Sequence, residues 1–264
     1  MADELSDRFN AFIRKITLSD GERHEALKQG LLLAQKLERR PEIQKCLITG
    51  SMARKTAIRK YSDVDLVAVI EKEDSLSQAG SADLVRALSG ILRETESQVQ
   101  VSENAARVRT ADGVTVDVLA AIQTGISSAS EDEYRISSSN RKGWERYAPE
   151  EQNRRIRESA AVLGDDFKKL IRLIKWWSKS NGHPISSYEI ESAACQAFSM
   201  RMPEMAQAVI DMYEYMGGSN CRPLPEMSIF IEAKEVAEEA YSSWQSGNKK
   251  ESVQLWGRLF GEQF

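Results

Sequence analysis

The amino-acid sequence predicts an α+β fold in which a mixed sheet is followed by a helical half. Two short apolar runs enclose a polar turn within residues 47–70, and residues 98–121 alternate between apolar and polar side chains. Both patterns are typical of strands. From Gln152 onward, apolar residues recur at helical spacing, with breaks at glycine and proline. We therefore expect two lobes, formed by residues 1–150 and 151–264.

Two helices are expected ahead of the first strand, over residues 4–16 and 20–38. Asp20 is the predicted cap of the second helix, and Pro41 closes the segment. The apolar stripe that this second helix would pack against the core consists of Leu27, Leu31, Ala34 and Leu37. We expect both helices to brace the core of the first lobe.

The first apolar run, Cys46 to Ile48, predicts a buried strand that ends at Gly50 and Ser51. A turn of this kind leaves backbone N–H groups and a hydroxyl free to meet phosphate oxygens. Residues 52–58 have helical composition, so the partial positive charge at the start of that helix would point at the same anion. The turn therefore predicts a phosphate-binding site.

Asp63 and Asp65 lie two residues apart in the second apolar run, so both side chains project from one face of a strand. Carboxylates this close repel each other unless a divalent cation neutralises them, and hard oxygen ligands suit Mg²⁺. The alternative is a pair of solvent-facing acids at a strand end. A P-loop is excluded, although Lys55-Thr56 mimics its end, because Arg54 stands where the second glycine is required.

A third acid follows in the predicted hairpin that turns at Asp112-Gly113. A helix is expected before this hairpin, at 81–95. Asp117 lies on the second arm, on the face opposite Val116 and its alternate neighbours. Beside the strand of Asp63, Asp117 would complete a two-metal site for phosphoryl transfer and act as a general base. The alternative is an edge-strand acid facing water.

The segment GSMARKTAIRKYSDVDL, which begins at Gly50, carries a family resemblance. With the later acid Asp117, it resembles the hG[GS]…[DE]h[DE]h pattern of the polymerase β-like nucleotidyltransferases. It is most similar to the GSxARGTAIxxxSDIDL signature of the cGAS/DncV-like nucleotidyltransferases, the bacterial relatives of cyclic GMP-AMP synthase and oligoadenylate synthase. Two positions depart from that signature, since Lys55 replaces a common glycine and Met52 a common aromatic residue.

A second resemblance lies in residues 167–198. The family carries a lysine on a helix and a downstream Ser-Tyr pair, which correspond here to Lys175, Ser187 and Tyr188. The resemblance implies that Lys175 and Ser187 contact a triphosphate and that Tyr188 stacks on a base. From the residues alone, Lys175 could equally belong to a solvated basic helix face, and the serines of SSYE could be helix caps.

The resemblance implies a polymerase β-like core whose nucleotide cleft is completed by an oligoadenylate synthase-like helical lobe. It implies Mg²⁺ as cofactor, as two ions with Mn²⁺ as a substitute, held by Asp63, Asp65 and Asp117. The implied reaction joins nucleoside triphosphates into a cyclic di- or trinucleotide, with release of pyrophosphate, for anti-phage (CBASS) signalling. Two alternatives stay open: transfer of a nucleotide to a tRNA, antibiotic or protein acceptor, and nucleotide sensing without catalysis.

Composition limits the classes of partner that we expect this protein to bind. The 264 residues carry a formal net charge of −4, which argues against a generally basic nucleic-acid-binding surface, so a nucleic-acid activator is not favoured. A regulatory partner protein or another activator is compatible with the sequence. No apolar run approaches the length of a membrane span and MADELSDRF lacks a signal-peptide pattern, so we expect a cytoplasmic protein without membrane contact. Three cysteines are too few and too dispersed for a zinc ribbon or disulfide framework.

Overall fold

The computed structural model describes residues 2–71, 80–96, 98–102, 104–126, 131–138, 143–182, 185–218 and 224–264. The chain divides into two compact units. We call the first the helical unit, and it comprises Met1–Leu18, Thr56–Tyr61 and Arg155–Phe264. We call the second the sheet unit, and it comprises Ser19–Lys55 and Ser62–Arg154.

The described residues form the following elements in chain order. The strands are β1 (Ile43–Thr49), β2 (Val64–Ile70), β3 (Val99–Val101), β4 (Ala105–Arg109), β5 (Thr115–Ile126), β6 (Asp132–Ser137) and β7 (Trp144–Tyr147). The helices are α1 (Ala2–Ile16), α2 (Asp20–Leu37), α3 (Gly50–Arg54), α4 (Ser81–Thr95), α5 (Pro149–Leu163), α6 (Asp165–Ser180), α7 (Ser187–Ala197), α8 (Met205–Gly217), α9 (Leu224–Gln245) and α10 (Lys249–Phe260). Among them, no helix combines the length and apolar character needed to cross a lipid bilayer.

The strands of the described residues form one mixed sheet with the order β1-β2-β5-β4-β3, in which β6 pairs with β5 and β7 pairs with β6. The strands β2 and β5 are parallel, and the other pairs are antiparallel. The predicted hairpin is formed by β4 and β5, with its turn at Asp112-Gly113. The predicted α+β fold with a mixed sheet is thus confirmed.

Helix α2 differs from its prediction at both its cap and its buried face. Ser19 caps the helix instead of Asp20, because its hydroxyl accepts the Glu22 N–H while the Glu22 carboxylate accepts the Ser19 N–H. Asp20 is the first helical residue, where its charge is favourable to the helix dipole. The prediction was therefore one residue late.

The buried face of α2 is set by Gly30. A Cβ at Gly30 would lie 2.7 Å from Val64 Cγ1 and 2.9 Å from Ile48 Cδ1, so this glycine lets the helix backbone approach β1 and β2 closely. Leu31 is consequently 52% exposed, so the predicted stripe was wrong at Leu31, while its members Ala34 and Leu37 are buried. The buried positions are Ala26, Gln29, Gly30, Leu33, Ala34 and Leu37.

The stretch at residues 123–152 is rich in serine and charge and lacks sustained periodicity, yet its described part contains regular structure. Strand β5 continues to Ile126, and β6 and β7 follow it as an antiparallel pair. Tyr134 and Ile136 of β6 are buried in a cluster with Val67 and Val69 of β2. The inward alternation is confined to these two residues, which is too short a pattern to identify a strand from the sequence.

Helix α1 belongs to the helical unit, whereas the sequence predicted that it braces the sheet-containing lobe. The Phe9 ring packs edge-to-face on Trp256, with centroids 5.0 Å apart, and on Phe264, with centroids 4.8 Å apart. Phe12 contacts the rings of Trp176 and Phe260 in the same cluster. Aromatic burial therefore joins the two ends of the chain in one core.

We expect Phe9→Ala to lower the free energy of unfolding of the protein by about 3–5 kcal/mol, because the ring is 2% exposed and its removal leaves a cavity. Urea denaturation measures this change. Val162→Ala is the control, since Val162 is 63% exposed in the same unit and its truncation should cost less than about 0.5 kcal/mol. Equal effects of the two variants would contradict the assignment of α1 to this core.

Candidate active site

The sheet unit brings two of the predicted acids side by side. Asp65 of β2 is the register partner of Asp117 on the parallel strand β5 and of Thr49 on β1. Arg107 of β4 lies opposite Asp117. Residues directly opposite each other in neighbouring strands project from the same face of a sheet. The four side chains therefore form a row across β1, β2, β5 and β4, which we call the acidic row.

Asp63 precedes the first residue of β2 and is joined to the acidic row through Arg107. The Arg107 Nε donates to Asp117 Oδ1 at 2.7 Å, and its Nη2 donates to Asp117 Oδ2 at 2.8 Å. The same Nη2 donates to Asp63 Oδ2 at 3.1 Å. One guanidinium thus contacts two of the three predicted acids, in a bidentate geometry with Asp117.

The acids stabilise the charged form of Arg107. The hydrogen bonds that Arg107 donates to Asp117, followed by the charge of Asp117, raise the pKa of Arg107 above its usual range, and the charge of Asp63 adds to this effect. Arg107 was not among the residues predicted from the sequence. A signal existed, because Arg107 and Asp117 are equidistant from Asp112 in the predicted hairpin, which places them opposite each other.

Gly50 is required by the carboxylate of Asp65. A Cβ at Gly50 would lie 1.6 Å from Asp65 Oδ2, and the backbone φ of Gly50 is +70°. Asp65 therefore packs against the backbone of the predicted phosphate-binding turn. Ser51, the next residue of this turn, is 8% exposed.

Helix α3 is shorter than the predicted segment 52–58, because it ends at Arg54. Lys55 is its C-cap, with a left-handed backbone at φ 60° and ψ 36°. This conformation is the one that glycine adopts most readily after a helix, which fits the glycine that the resembled signature has at this position. The departure at Lys55 thus keeps the turn geometry at some cost in backbone strain.

The three predicted acids fit a hard divalent cation. Asp63, Asp65 and Asp117 supply carboxylate oxygens, which Mg²⁺ prefers. Asp117 and Asp63 already bind one positively charged group, the guanidinium of Arg107. In the part of the chain that the structure describes, no group of three His, Cys, Asp or Glu side chains is arranged around an ion position. Asp63 and Asp117 are joined by the guanidinium instead.

One threonine hydroxyl and one tyrosine hydroxyl lie at the β1 end of the acidic row. The Thr49 Oγ1 lies 3.1 Å from the Tyr147 hydroxyl oxygen of β7, within hydrogen-bond distance. Beyond the acids, the same face of β2 continues with Val67 and Val69, which are fully buried under β6. Asp65 and Asp117 therefore lie at the edge of the region of this face that β6 covers.

Lys175 belongs to the helical unit and is buried, which differs from the basic solvated face that the pattern of α6 allows. Its Nζ donates to Glu191 Oε1 at 2.6 Å and to Thr56 Oγ1 at 3.0 Å. Thr56 Oγ1 in turn donates to Glu191 Oε1 at 2.5 Å. Lys175 is 2% exposed, and Glu191 and Thr56 are fully buried. Its expected contact with a triphosphate stays a prediction.

Ser187 and Tyr188 begin helix α7 in the same unit. The cap is Ser186, whose hydroxyl accepts the Glu189 N–H at 3.1 Å while the Glu189 carboxylate accepts the Ser186 N–H at 2.9 Å. Ser186 and Glu189 thus form a capping box, as the alternative interpretation of SSYE allows, and the Ser187 hydroxyl lies outside it. Tyr188 is 57% exposed, so its ring is open to stacking. Their roles toward a nucleotide stay predictions.

The fold is shared with solved nucleotidyltransferase structures. An Escherichia coli CdnC structure with ATP is 17% identical to this chain and has a TM-score of 0.81, with coverage of 98% of each chain. The CdnC:HORMA-deltaN complex from the same strain gives 17% identity and a TM-score of 0.78, covering 98% of this chain and 97% of that chain. Bradyrhizobium diazoefficiens CdnG, a CD-NTase solved with GTP, gives 13% identity and a TM-score of 0.74, covering 98% and 96%. The protein therefore has the fold of the cGAS/DncV-like nucleotidyltransferases.

The family follows from the sequence itself. Residues 4–159 match the model of the Second Messenger Oligonucleotide or Dinucleotide Synthetase domain, and the chain belongs to this family. A relative from Bacillus cereus, named as a probable cyclic nucleotide synthase, is 23% identical over an alignment of 267 positions, which spans 81% of this chain and 80% of the relative. The family resemblance drawn from the Gly50 segment is thus confirmed.

Gly50→Ala should lower the free energy of unfolding by more than backbone strain alone explains. We expect it to destabilise the protein by about 1–3 kcal/mol more than Gly113→Ala, because only the new Cβ at Gly50 collides with a carboxylate. Gly113 is a matched control, with φ +79° and open space around its Cβ position. Urea denaturation of both variants measures the difference, and equal losses would show that Asp65 does not depend on Gly50.

The buried ion pair of Lys175 and Glu191 can be tested by a double-mutant cycle. Lys175→Met should cost about 3–5 kcal/mol of unfolding free energy, because it leaves the Glu191 carboxylate buried without its cation. Lys175→Met combined with Glu191→Leu should recover much of that loss, since no uncompensated charge then remains. Denaturant unfolding of the two single variants and the double variant tests this. Additive losses would argue against direct coupling.

Proposed function

We propose that this protein joins nucleoside triphosphates into a cyclic di- or trinucleotide second messenger and releases pyrophosphate. The observation that carries the proposal is the register of β2 and β5, which pairs Asp65 with Asp117 in a chain of the second-messenger synthetase family. Relatives with this fold have been solved with ATP and with GTP, which supports nucleoside triphosphates as substrates.

Asp63, Asp65 and Asp117 would hold Mg²⁺, as two ions, with Mn²⁺ as a substitute. Bound there, the ions would neutralise phosphate charge and lower the pKa of the attacking ribose hydroxyl. A carboxylate oxygen of Asp117 would accept the proton of that hydroxyl. The turn at Gly50 and Ser51 would offer backbone N–H groups to the triphosphate. Catalysis in this scheme consists of positioning and charge neutralisation.

The nucleotide contacts proposed for the helical unit differ in their support. The exposed ring of Tyr188 is suited to stacking on a base, and Ser187 lies beside it at the first turn of α7. Lys175 has weaker support as a triphosphate ligand, because Glu191 and Thr56 already share its ammonium group. We therefore expect Ser187 and Tyr188 to affect the Michaelis constant for the nucleotide more directly than Lys175.

We propose further that the product signals in anti-phage defence and that a partner protein controls synthesis. The E. coli relative has been solved with a HORMA partner, which supports a regulatory protein of that kind for this chain. Under this proposal, the purified protein alone would have low activity, and the partner would raise it.

The decisive experiment incubates the full chain with labelled nucleoside triphosphates and Mg²⁺ or Mn²⁺, without any acceptor. We expect a phosphatase-resistant product whose mass matches a cyclic di- or trinucleotide. Absence of that product over all nucleotide pairs, both metals and added HORMA partner would count against the proposal. Product formation only after addition of a tRNA, antibiotic or protein would indicate transfer to an acceptor, and nucleotide binding without turnover would indicate a sensor.

Asp63→Asn, Asp65→Asn and Asp117→Asn should each reduce product formation by about 10²-fold or more, because each removes a charge that would bind metal. Initial rates at saturating nucleotide and Mg²⁺ measure this loss. Asp7→Asn is the matched control, since Asp7 is an exposed acid of α1 outside the acidic row. Full activity in the doubly substituted Asp63→Asn/Asp65→Asn protein would exclude these residues as metal ligands.

A further inference from the structure

Arg107 is the charged residue of the acidic row to which neither the sequence motif nor the proposed reaction gives a role. Its Nη2 lies 2.8 Å from an oxygen of Asp117 and 3.1 Å from an oxygen of Asp63. A single positively charged group therefore bridges two carboxylates that the proposed function assigns to metal ions. We propose that Arg107 is a positioning residue that competes with divalent cations for Asp63 and Asp117. This inference rests on the proposed function.

The contact geometry makes competition the expected relation. The guanidinium of Arg107 engages both oxygens of Asp117 at once, through Nε and Nη2. A divalent cation draws on lone pairs of the same oxygens and repels a guanidinium held in the same place. Arg107 and a metal ion therefore oppose each other at Asp117, although each of them relieves the repulsion between the acids.

The exposure of these groups allows the exchange without a change in the backbone. The side chain of Arg107 is 50% exposed, and those of Asp63 and Asp117 are 37% and 26% exposed. Ion pairs at such exposure are weak in net terms because water competes for both partners. The backbone of Arg107 is fixed by pairing with β3 on one side and β5 on the other. Only the side chain has to move when a cation takes its place.

Other roles of Arg107 predict different effects of its removal on metal binding. If Arg107 only held Asp117 in the orientation that a metal ion needs, its removal would weaken metal binding. If the ion pair served stability alone, its removal would leave metal affinity unchanged. Competition alone predicts that metal binding becomes tighter when Arg107 is removed.

The strand supplies a matched control. Arg109 lies two residues further along β4, on the same face, and its register partner is Thr115. Arg109→Gln therefore removes one positive charge from the same strand and keeps the contacts between Arg107 and the acids. Arg107→Lys is the second variant, because it keeps the charge and loses the planar fork that binds Asp117 at two oxygens.

The experiment measures Mn²⁺ binding to the full chain by electron paramagnetic resonance of free Mn²⁺, without nucleotide and at constant ionic strength. We expect Arg107→Gln to lower the dissociation constant by about tenfold, Arg107→Lys to lower it less, and Arg109→Gln to change it by less than about twofold. Thermal unfolding without metal checks that each variant is folded, and Arg107→Lys takes the place of Arg107→Gln if the latter is not.

Equal effects of Arg107→Gln and Arg109→Gln, or weaker binding in Arg107→Gln, would overturn the competition while leaving the metal site in place. Failure of both the native chain and Arg107→Gln to bind Mn²⁺ would overturn the proposed metal site and the inference together. Binding that appears only after Arg107→Gln would support both. The readout does not depend on turnover, so these results are distinguishable from a loss of activity.

Discussion

The parallel pairing of β2 with β5 is the constraint on which the candidate site depends. Val64 and Leu66 of β2 and Val116 and Val118 of β5 are fully buried on one face of the sheet. A shift of one residue would turn this apolar face outward and reverse every side chain, so burial determines the register. The same register brings Asp65 beside Asp117 on the other face. The hydrophobic core thereby holds two like charges together.

Holding acids together has an electrostatic cost, which the sheet unit offsets locally. The guanidinium of Arg107 reaches Asp63 and Asp117 from the neighbouring strand. Asp65, the third acid, packs against the bare backbone of Gly50, where no side chain could fit. A cationic side chain and a glycine therefore accommodate charges that the apolar register brings close. The proposed competition between Arg107 and metal ions follows from this arrangement.

The helical unit handles charge differently. Lys175 and Glu191 form an ion pair with almost no exposure, joined by the hydroxyl of Thr56. A buried pair of this kind depends on both partners, whereas the exposed pair of Arg107 and Asp117 can exchange with other ions. Lys175 is thus held by its surroundings, while Arg107 is able to respond to a ligand. This contrast could not be read from residue types, since each is a cation beside an acid.

The family, the mixed sheet, the glycine turn and the three candidate acids could be predicted from the sequence, because local pattern and spacing along the chain carry these features. The remaining features depend on tertiary contacts. Only packing on Gly30 selected the buried face of α2, and only the aromatic cluster of Phe9 and Trp256 assigned α1 to the helical unit. Likewise, only side-chain contacts revealed that Arg107 joins Asp117 to Asp63, and only the buried ion pair revealed Glu191 as the partner of Lys175. The physical reason is that burial and charge pairing join residues distant in sequence, which periodicity along one segment does not record.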